Sequence, residues 1–127
     1  MPLETLCGEC SRCIDACPGG ALGKHRWVDY ENCVSFLTQK GRSYDRTDYI
    51  YGCDICQDVC PFNENVPEDL HCEYFFPQEL RFPDPGRILE MDEAEFEALY
   101  GKSALAWRGL GTMKKNARRF LQRKNRG

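Results

Sequence analysis

The 127-residue sequence lacks the segments that mark secreted and membrane proteins. No N-terminal stretch combines a basic start, an apolar core and a small-residue cleavage site, so secretion is not expected. No apolar run approaches the roughly 20 residues that span a bilayer, so no membrane partner is expected either. We therefore expect a cytoplasmic protein in a reducing compartment, where cysteines bind metals more often than they form disulfides.

Signatures of stand-alone catalysis are also missing. The sequence has no Gly-rich phosphate loop and no Ser/His/Asp set, and it has only two histidines. Acidic side chains are absent from residues 102–127, which hold nine of the 17 basic ones, so this tail is an electrostatically separate segment. It is compatible with a solvated helix end or with contacts to nucleic-acid phosphates. The candidates for such contacts are Lys114, Lys115, Arg118, Arg119 and Arg123.

What the sequence does have is nine cysteines, none of them beyond Cys72. The odd number argues against a fully paired disulfide framework. Two blocks, "CGECSRCIDACPGG" and "GCDICQDVCPFN", share the core C-x2-C-x3-C-P and form a degenerate internal repeat. Such a duplication is typical of ferredoxins with two iron–sulfur clusters, in which the cysteine before the proline binds the other cluster.

The second block lacks one ligand. The complete run C-x2-C-x2-C-x3-C-P is present in the first block, whereas Ile50 stands where the second block needs its first cysteine. Each [4Fe–4S] cube needs four thiolates. Cross-over of the last cysteines predicts cluster 1 on Cys7, Cys10, Cys13 and Cys60, and cluster 2 on Cys17, Cys53, Cys56 and one further cysteine.

Cys33 and Cys72 remain for that position. We prefer Cys33 because it lies between the two blocks, as a first ligand displaced upstream by an insertion. Cys72 would require the chain to fold back after the second block, so we interpret it as a free thiol. His25 and His71 are interpreted as surface or packing residues, because eight thiolates already satisfy two cubes. Zinc is the rival metal, since C-x2-C pairs bind it too, but the C-x3-C-P endings fit cluster cross-over better.

Three segments together resemble the epoxyqueuosine reductase family. They are "CGECSRCIDACPGGAL", "CVSFLTQ" and "YGCDICQDVCPFN", and the later stretch around Arg108, Gly111, Asn116 and Ala117 fits more loosely. The resemblance implies that Cys33 is a cluster ligand, in agreement with the spacing. It also implies an oxidoreductase that uses two [4Fe–4S] clusters and cobalamin to reduce epoxyqueuosine in tRNA to queuosine.

The resemblance implies partners that this chain does not supply. Nothing in the sequence corresponds to the family's cobalamin-binding domain, so we expect cobalamin on a domain or separate chain outside these residues, and reductive chemistry that is incomplete within them. A flavodoxin- or ferredoxin-type protein would donate the electrons, and tRNA would be the substrate. Two alternatives stay open: a stand-alone dicluster ferredoxin that serves another oxidoreductase, and a zinc-binding module that interacts with tRNA.

The predicted fold class is α+β: a bacterial two-[4Fe–4S] ferredoxin-like core with a helical C-terminal extension. We expect short strands near residues 20–29 and a short helix beside each cluster. The chain divides into a dicluster domain at 1–74, a proline-rich linker at 75–90 and a basic helical extension at 91–127. Within the extension, Asp92 and Glu95 predict a capping box that begins a helix ending near Gly101, and a last helix is predicted to start at Thr112.

Overall fold

The computed structural model describes residues 6–23, 27–44, 47–67, 80 and 82–126. Within these residues the chain is mostly helical. The α-helices are α1 (Arg12–Ala16), α2 (Val34–Gln39), α3 (Ile55–Asp58), α4 (Pro85–Glu90), α5 (Glu93–Tyr100) and α6 (Gly109–Lys124). Two 3₁₀ helices lie at Pro61–Asn63 and Ala104–Arg108. No helix of the described residues is long and apolar enough to cross a membrane.

The described residues near 20–29 do not form the short strands that were predicted there, and this corrects the α+β fold class. The described part of this segment contains one isolated antiparallel bridge, between Leu22 and Val28, and no strand. Gly20, with φ at +61°, turns the chain just before Ala21, and another turn begins at Asp29. These turns leave about two residues on each side to pair, which is too few for a ladder.

The hydrophobic core lies mainly among the C-terminal helices. Helix α6 packs against α4, α2 and the 3₁₀ helix that precedes it. The largest cluster of buried apolar side chains consists of Ile50, Ile88, Met91, Phe96, Tyr100, Leu110, Met113 and Ala117. Ile50 is the one member of this cluster that comes from the cysteine-rich part of the chain. Residue 50, where the sequence repeat lacks its cysteine, is therefore a core position.

The helix ends follow from local chemistry. The predicted capping box is confirmed: the Asp92 carboxylate accepts from the Glu95 amide at 2.8 Å, and the Glu95 side chain accepts from the Asp92 amide at 3.2 Å. Helix α6 begins at Gly109, three residues before the predicted Thr112. The earlier start buries Leu110, which is 3% exposed, and this burial outweighs the helix-weakening effect of two glycines.

Helix α4 begins inside the segment predicted as a proline-rich linker. Pro85 occupies its first turn, where a missing amide hydrogen costs nothing, and the Asp84 carboxylate accepts from the Arg87 amide at 2.7 Å. Most of that segment lies outside the described residues, as do Cys72, His25 and His71. The division of the chain at residues 74 and 90 stays a prediction.

Candidate iron–sulfur site

The two cysteine blocks adopt equivalent local structures. In the first block α1 carries Cys13 and ends at Cys17, whose amide donates to the Ile14 carbonyl oxygen at 3.3 Å. In the second block α3 carries Cys56, and the Cys60 amide donates to the Gln57 carbonyl oxygen at 3.1 Å. Both hydrogen bonds join the cysteine before a proline to the residue three positions earlier. The sequence repeat is therefore also a structural repeat.

The two repeats lie against each other. Helix α1 packs on α3, and the Arg12 guanidinium forms an ion pair with the Glu64 carboxylate at 2.7 Å. Both partners of this pair are more than half exposed, so the contact orients the repeats more than it stabilises them. The packing brings cysteines of one block beside cysteines of the other, as cross-over ligation requires.

Four cysteines line one cavity of about 230 Å³. They are Cys17 from the first block, Cys33 from the segment between the blocks, and Cys53 and Cys56 from the second block. These are the four residues predicted for cluster 2. The rest of the wall is largely apolar and includes Ala21, Leu22, Val28 and Val34. A largely apolar cavity lined by four thiols matches the donor set that a [4Fe–4S] cube requires, so these residues fit the cluster.

Close backbone contacts hold Cys17 near Cys33. A Cβ atom on Gly19 would lie 1.9 Å from the Asn32 carbonyl oxygen, so the turn after Cys17 touches the backbone just before Cys33 and requires glycine there. The Ala21 amide donates to the Cys17 Sγ atom at 3.2 Å. Cys33 itself is the N-cap residue of α2, with an extended backbone conformation. The displaced cysteine is thus placed at a helix start whose packing directs it to the cavity.

Burial raises the pKa of the Cys53 thiol, and the neighbouring Cys56, Cys33 and Cys17 add to the rise while a hydrogen bond from the Ile55 amide opposes it. The pKa of Cys56 is raised by burial too, against a hydrogen bond from Gln57. Coordination to a cation deprotonates a thiol outright. Clustered thiols that resist ionisation on their own are therefore matched to a site in which metal supplies the positive charge.

The four cysteines predicted for cluster 1 differ from those of the cavity in one member. Cys7, Cys13 and Cys60 are half-buried, and Cys10 is exposed. The Cys10 amide donates to the Cys7 carbonyl oxygen at 2.9 Å, which closes a turn between the first two thiols. Among the described residues, no three Cys, His, Asp or Glu groups stand close enough to share one metal ion. A cube makes a different demand, because each thiolate binds its own iron at a separate corner. The assignment of cysteines to the two clusters stays a prediction.

The candidate basic residues fall into two groups. Arg119 donates to the Gly41 carbonyl oxygen at 2.6 Å, and Arg123 donates to the Tyr44 carbonyl oxygen at 3.2 Å. These two side chains tie α6 to the segment that joins the cysteine blocks. Lys115 and Arg118 are exposed and Lys114 is half-buried, so these three are available for contacts outside the molecule.

Two polar residues near the site were not recognised from the sequence as part of it. Thr38 and Asn116 are both fully buried, and hydrogen bonds join them to each other and to the backbone before Cys53. Thr38 lies in the segment "CVSFLTQ" and Asn116 in the later stretch that carry the family resemblance, but no local pattern joined them to the cysteines. Asn116 lies on the same buried face of α6 as Met113 and Ala117.

Comparisons with known proteins agree with this arrangement. Residues 6–63 match the 4Fe–4S double cluster binding domain, and this range contains eight cysteines. Epoxyqueuosine reductase of Bacillus subtilis is 39% identical over a match of 123 residues, and the match covers 92% of this chain and 32% of that protein. A solved structure of the Bacillus subtilis enzyme has a TM-score of 0.84 at 38% identity, covering 96% of this chain and 34% of the other.

A further solved structure is epoxyqueuosine reductase with a tRNA-Tyr epoxyqueuosine-modified stem loop. It has a TM-score of 0.82 at 35% identity and covers 96% of this chain and 34% of the other. The chain thus spans about a third of the length of these relatives.

Proposed function

We propose, on the premise that this chain is a homologue of the C-terminal third of epoxyqueuosine reductases, that it holds two [4Fe–4S] clusters and relays electrons to a cobalamin bound outside these residues. The observation that carries the proposal is the cavity shared by Cys17, Cys33, Cys53 and Cys56. These thiols come from three separate segments and meet beside an apolar wall. The cobalamin, the electron donor and the reduction of epoxyqueuosine are parts of the proposal.

The chain's own residues supply ligation, shielding and hydrogen bonds. Bound [4Fe–4S] clusters provide one-electron transfer. Val34, which is 4% exposed, and Ala21, which is 1% exposed, form the buried part of the apolar wall beside Cys17 and its neighbours. The Ala21 amide stabilises negative charge on the Cys17 sulfur, and hydrogen bonds of this kind raise the potential of a cluster.

The exposed first block suits contact with an electron donor. Cys10 is exposed in the turn that leads into α1, so cluster 1, if it is bound there, lies near the surface. The cavity proposed for cluster 2 includes Cys53, which lies three residues after Ile50 of the hydrophobic core. We therefore propose that a flavodoxin- or ferredoxin-type protein docks near Cys10.

Anaerobic reconstitution with iron and sulfide tests the core of the proposal. If all eight cysteines bind as assigned, the chain takes up about eight irons and eight sulfides. Cys33→Ser should lose the cluster 2 signal in the EPR spectrum of the reduced protein, and Cys72→Ser should retain both signals. Loss of a cluster in Cys72→Ser alone would overturn the choice of Cys33. Purified chain that holds zinc without sulfide would instead favour the zinc-binding alternative.

The stand-alone ferredoxin is the second candidate. Its supporting observation is the charge distribution, because all 20 acidic side chains precede residue 102 and suit docking to a basic redox partner. A separate cobalamin-domain chain, mixed with this one, distinguishes the two functions. Restored reduction of epoxyqueuosine supports the first function. Electron transfer to other acceptors with no epoxyqueuosine reduction supports the second.

Binding of tRNA is proposed only for Lys114, Lys115 and Arg118, the three basic candidates that do not contact the connecting segment as Arg119 and Arg123 do. One relative has been crystallised with a modified tRNA stem loop. Lys114, Lys115 and Arg118 carry no bond to the described residues comparable to those of Arg119 and Arg123. The quantity to measure is the slope of log K for tRNA binding against log[salt]. Replacing the three residues by alanine should make this slope shallower by about one for each phosphate that the variant no longer neutralises. An unchanged slope would contradict a role for this face.

A further inference from the structure

Two ligands of the cluster 2 cavity come from segments twenty positions apart. Cys33 precedes α2, and Cys53 precedes α3, yet both line the same cavity. In the first block short loops set the spacing of the thiols. No short loop joins Cys33 to Cys53, so their separation depends on contacts between the two segments.

Thr38 provides the first of these contacts. It lies near the end of α2, whose first residue follows Cys33, and it is fully buried. Its hydroxyl group donates to the Ser35 carbonyl oxygen at 2.8 Å and accepts from the Gly52 amide at 2.9 Å. Gly52 immediately precedes Cys53. Because α2 is a rigid element, this hydroxyl joins the segment of Cys33 to the peptide next to Cys53.

Asn116 provides the second contact, from the distant helix α6. It is fully buried, and its side-chain amide donates to the Thr38 carbonyl oxygen at 2.7 Å and to the Ile50 carbonyl oxygen at 2.9 Å. One NH₂ group therefore binds both segments at once. Its Oδ1 atom is buried with no partner among the described residues, which is unfavourable. An apolar residue would avoid this cost, so the two donated bonds are the reason to have an amide here.

The neighbouring turns of α6 hold the residues between the two ligands. Arg119 donates to the Gly41 carbonyl oxygen, and Arg123 donates to that of Tyr44. Lys124 pairs with Asp48 at 2.9 Å on the surface. From Asn116 onward, one face of the helix thus contacts the connecting segment at successive positions, and the buried contact lies nearest the cavity.

We propose that Thr38 and Asn116 are positioning residues that fix the separation of Cys33 and Cys53 and thereby determine the retention and the potential of cluster 2. This inference rests on the proposed function. Neither residue lines the cavity, and each would act through the backbone that presents a ligand. Partners that orient metal ligands in this way typically change metal affinity by about 10–100-fold when they are removed.

Thr38→Val tests the proposal, because valine has the same shape and lacks the hydroxyl. In the reconstituted protein, iron loss from cluster 2 to a chelator should become about tenfold faster, while loss from cluster 1 stays unchanged. In an EPR-monitored redox titration the midpoint of cluster 2 should move and that of cluster 1 should not. Thr38→Ser keeps the hydroxyl and should restore the wild-type behaviour of both clusters.

Matched controls separate positioning from general destabilisation. Thr47 is another buried threonine, but its hydroxyl has no partner among the described residues, so Thr47→Val should leave both clusters unchanged. Asn116→Ala removes the other contact and should again affect cluster 2 selectively. Equal effects on both clusters, or no effect in Thr38→Val and Asn116→Ala, would overturn the inference while leaving the proposed function intact. Failure of the wild-type chain to bind two clusters would overturn both.

Discussion

The cysteine-rich region (residues 6–67) and the C-terminal helices α4–α6 have different interiors. Among the described residues, the C-terminal helices bury Ile88, Phe96, Tyr100, Leu110 and Met113 against one another. The cysteine-rich region buries fewer large apolar side chains, and its main interior feature is a cavity lined by thiols. Its buried residues are Ala21, Val34, Thr38, Tyr44, Thr47 and Ile50. Apolar packing stabilises the C-terminal helices. The cysteine-rich region depends on what its cysteines bind, since small domains with little core require a metal or another cross-link.

Removal of iron from the reconstituted protein should produce the largest change in stability, and this change should differ between the two regions. We expect residues 6–63 to lose most of their amide protection, because metal binding supplies much of their folding free energy. Helices α4–α6 should keep theirs, because their contacts need no ligand. Hydrogen exchange followed by mass spectrometry measures both regions in one sample. Equal loss of protection in the two regions would show that they fold as a single unit.

Met113→Ala should weaken the helical region from within. Met113 is fully buried at the centre of the core, so the cavity left by truncation should lower the free energy of unfolding by about 2–5 kcal/mol. Denaturant titration measures the change. Gln122→Ala, at an exposed position on the same helix, is the control and should change stability by less than about 0.5 kcal/mol. Folded Met113→Ala that had lost both clusters would contradict the independence of the two interiors.

Asp92→Ala should have a smaller effect that is confined to the helical region. The substitution removes the bond that the Asp92 carboxylate accepts from the Glu95 amide at the start of α5, which should lower the free energy of unfolding by about 1 kcal/mol. Thermal unfolding of the holoprotein is the measurement, with Lys102→Ala as an exposed control beyond the helix end. A decrease in cluster content without a decrease in stability would argue against this assignment of regions.

Tyr44→Phe should have an effect that depends on pH. Burial raises the pKa of Tyr44 from 10.0 to about 12, and the nearby Arg123 and Arg119 oppose the rise. The hydroxyl donates to the Tyr49 carbonyl oxygen at 2.5 Å, a bond worth about 1 kcal/mol. Because the folded pKa is raised, this stability is complete below pH 10 and is lost as the pH rises to about 12. Wild type should therefore have a larger free energy of unfolding than Tyr44→Phe near neutral pH, and the difference should shrink between pH 10 and about 12. A difference that stays constant over this range would contradict the titration of Tyr44.

The sequence predicted well those features that local spacing determines. The paired blocks place cysteines before prolines at a fixed distance, and both blocks form the same short helix. The capping box at Asp92 and Glu95 was also predictable, because its partners are three residues apart. In each case the interacting groups lie within a few positions of each other in the chain.

Long-range contacts explain what the sequence did not reveal. The pairing of Leu22 with Val28 remained a single bridge because adjacent turns limit it, whereas the ferredoxin-like repeat of the cysteines suggested strands. Arg119 looks in sequence like its exposed neighbour Arg118, yet it reaches a carbonyl oxygen 78 positions away. Asn116 likewise looks like a polar interruption of an apolar face. Only the packing of α6 on the connecting segment shows what these residues bind.

The bond from Asn116 to the Ile50 carbonyl oxygen also has a consequence for the order in which contacts form during synthesis. All eight cysteines of residues 6–63 have left the ribosome well before the last helix is made. Translation adds roughly 5–20 residues per second, so the nascent chain spends several seconds with the Thr38 and Ile50 carbonyl groups lacking their amide donor. The contact that joins the two ends of the segment between Cys33 and Cys53 therefore forms only after all eight cysteines have been synthesised.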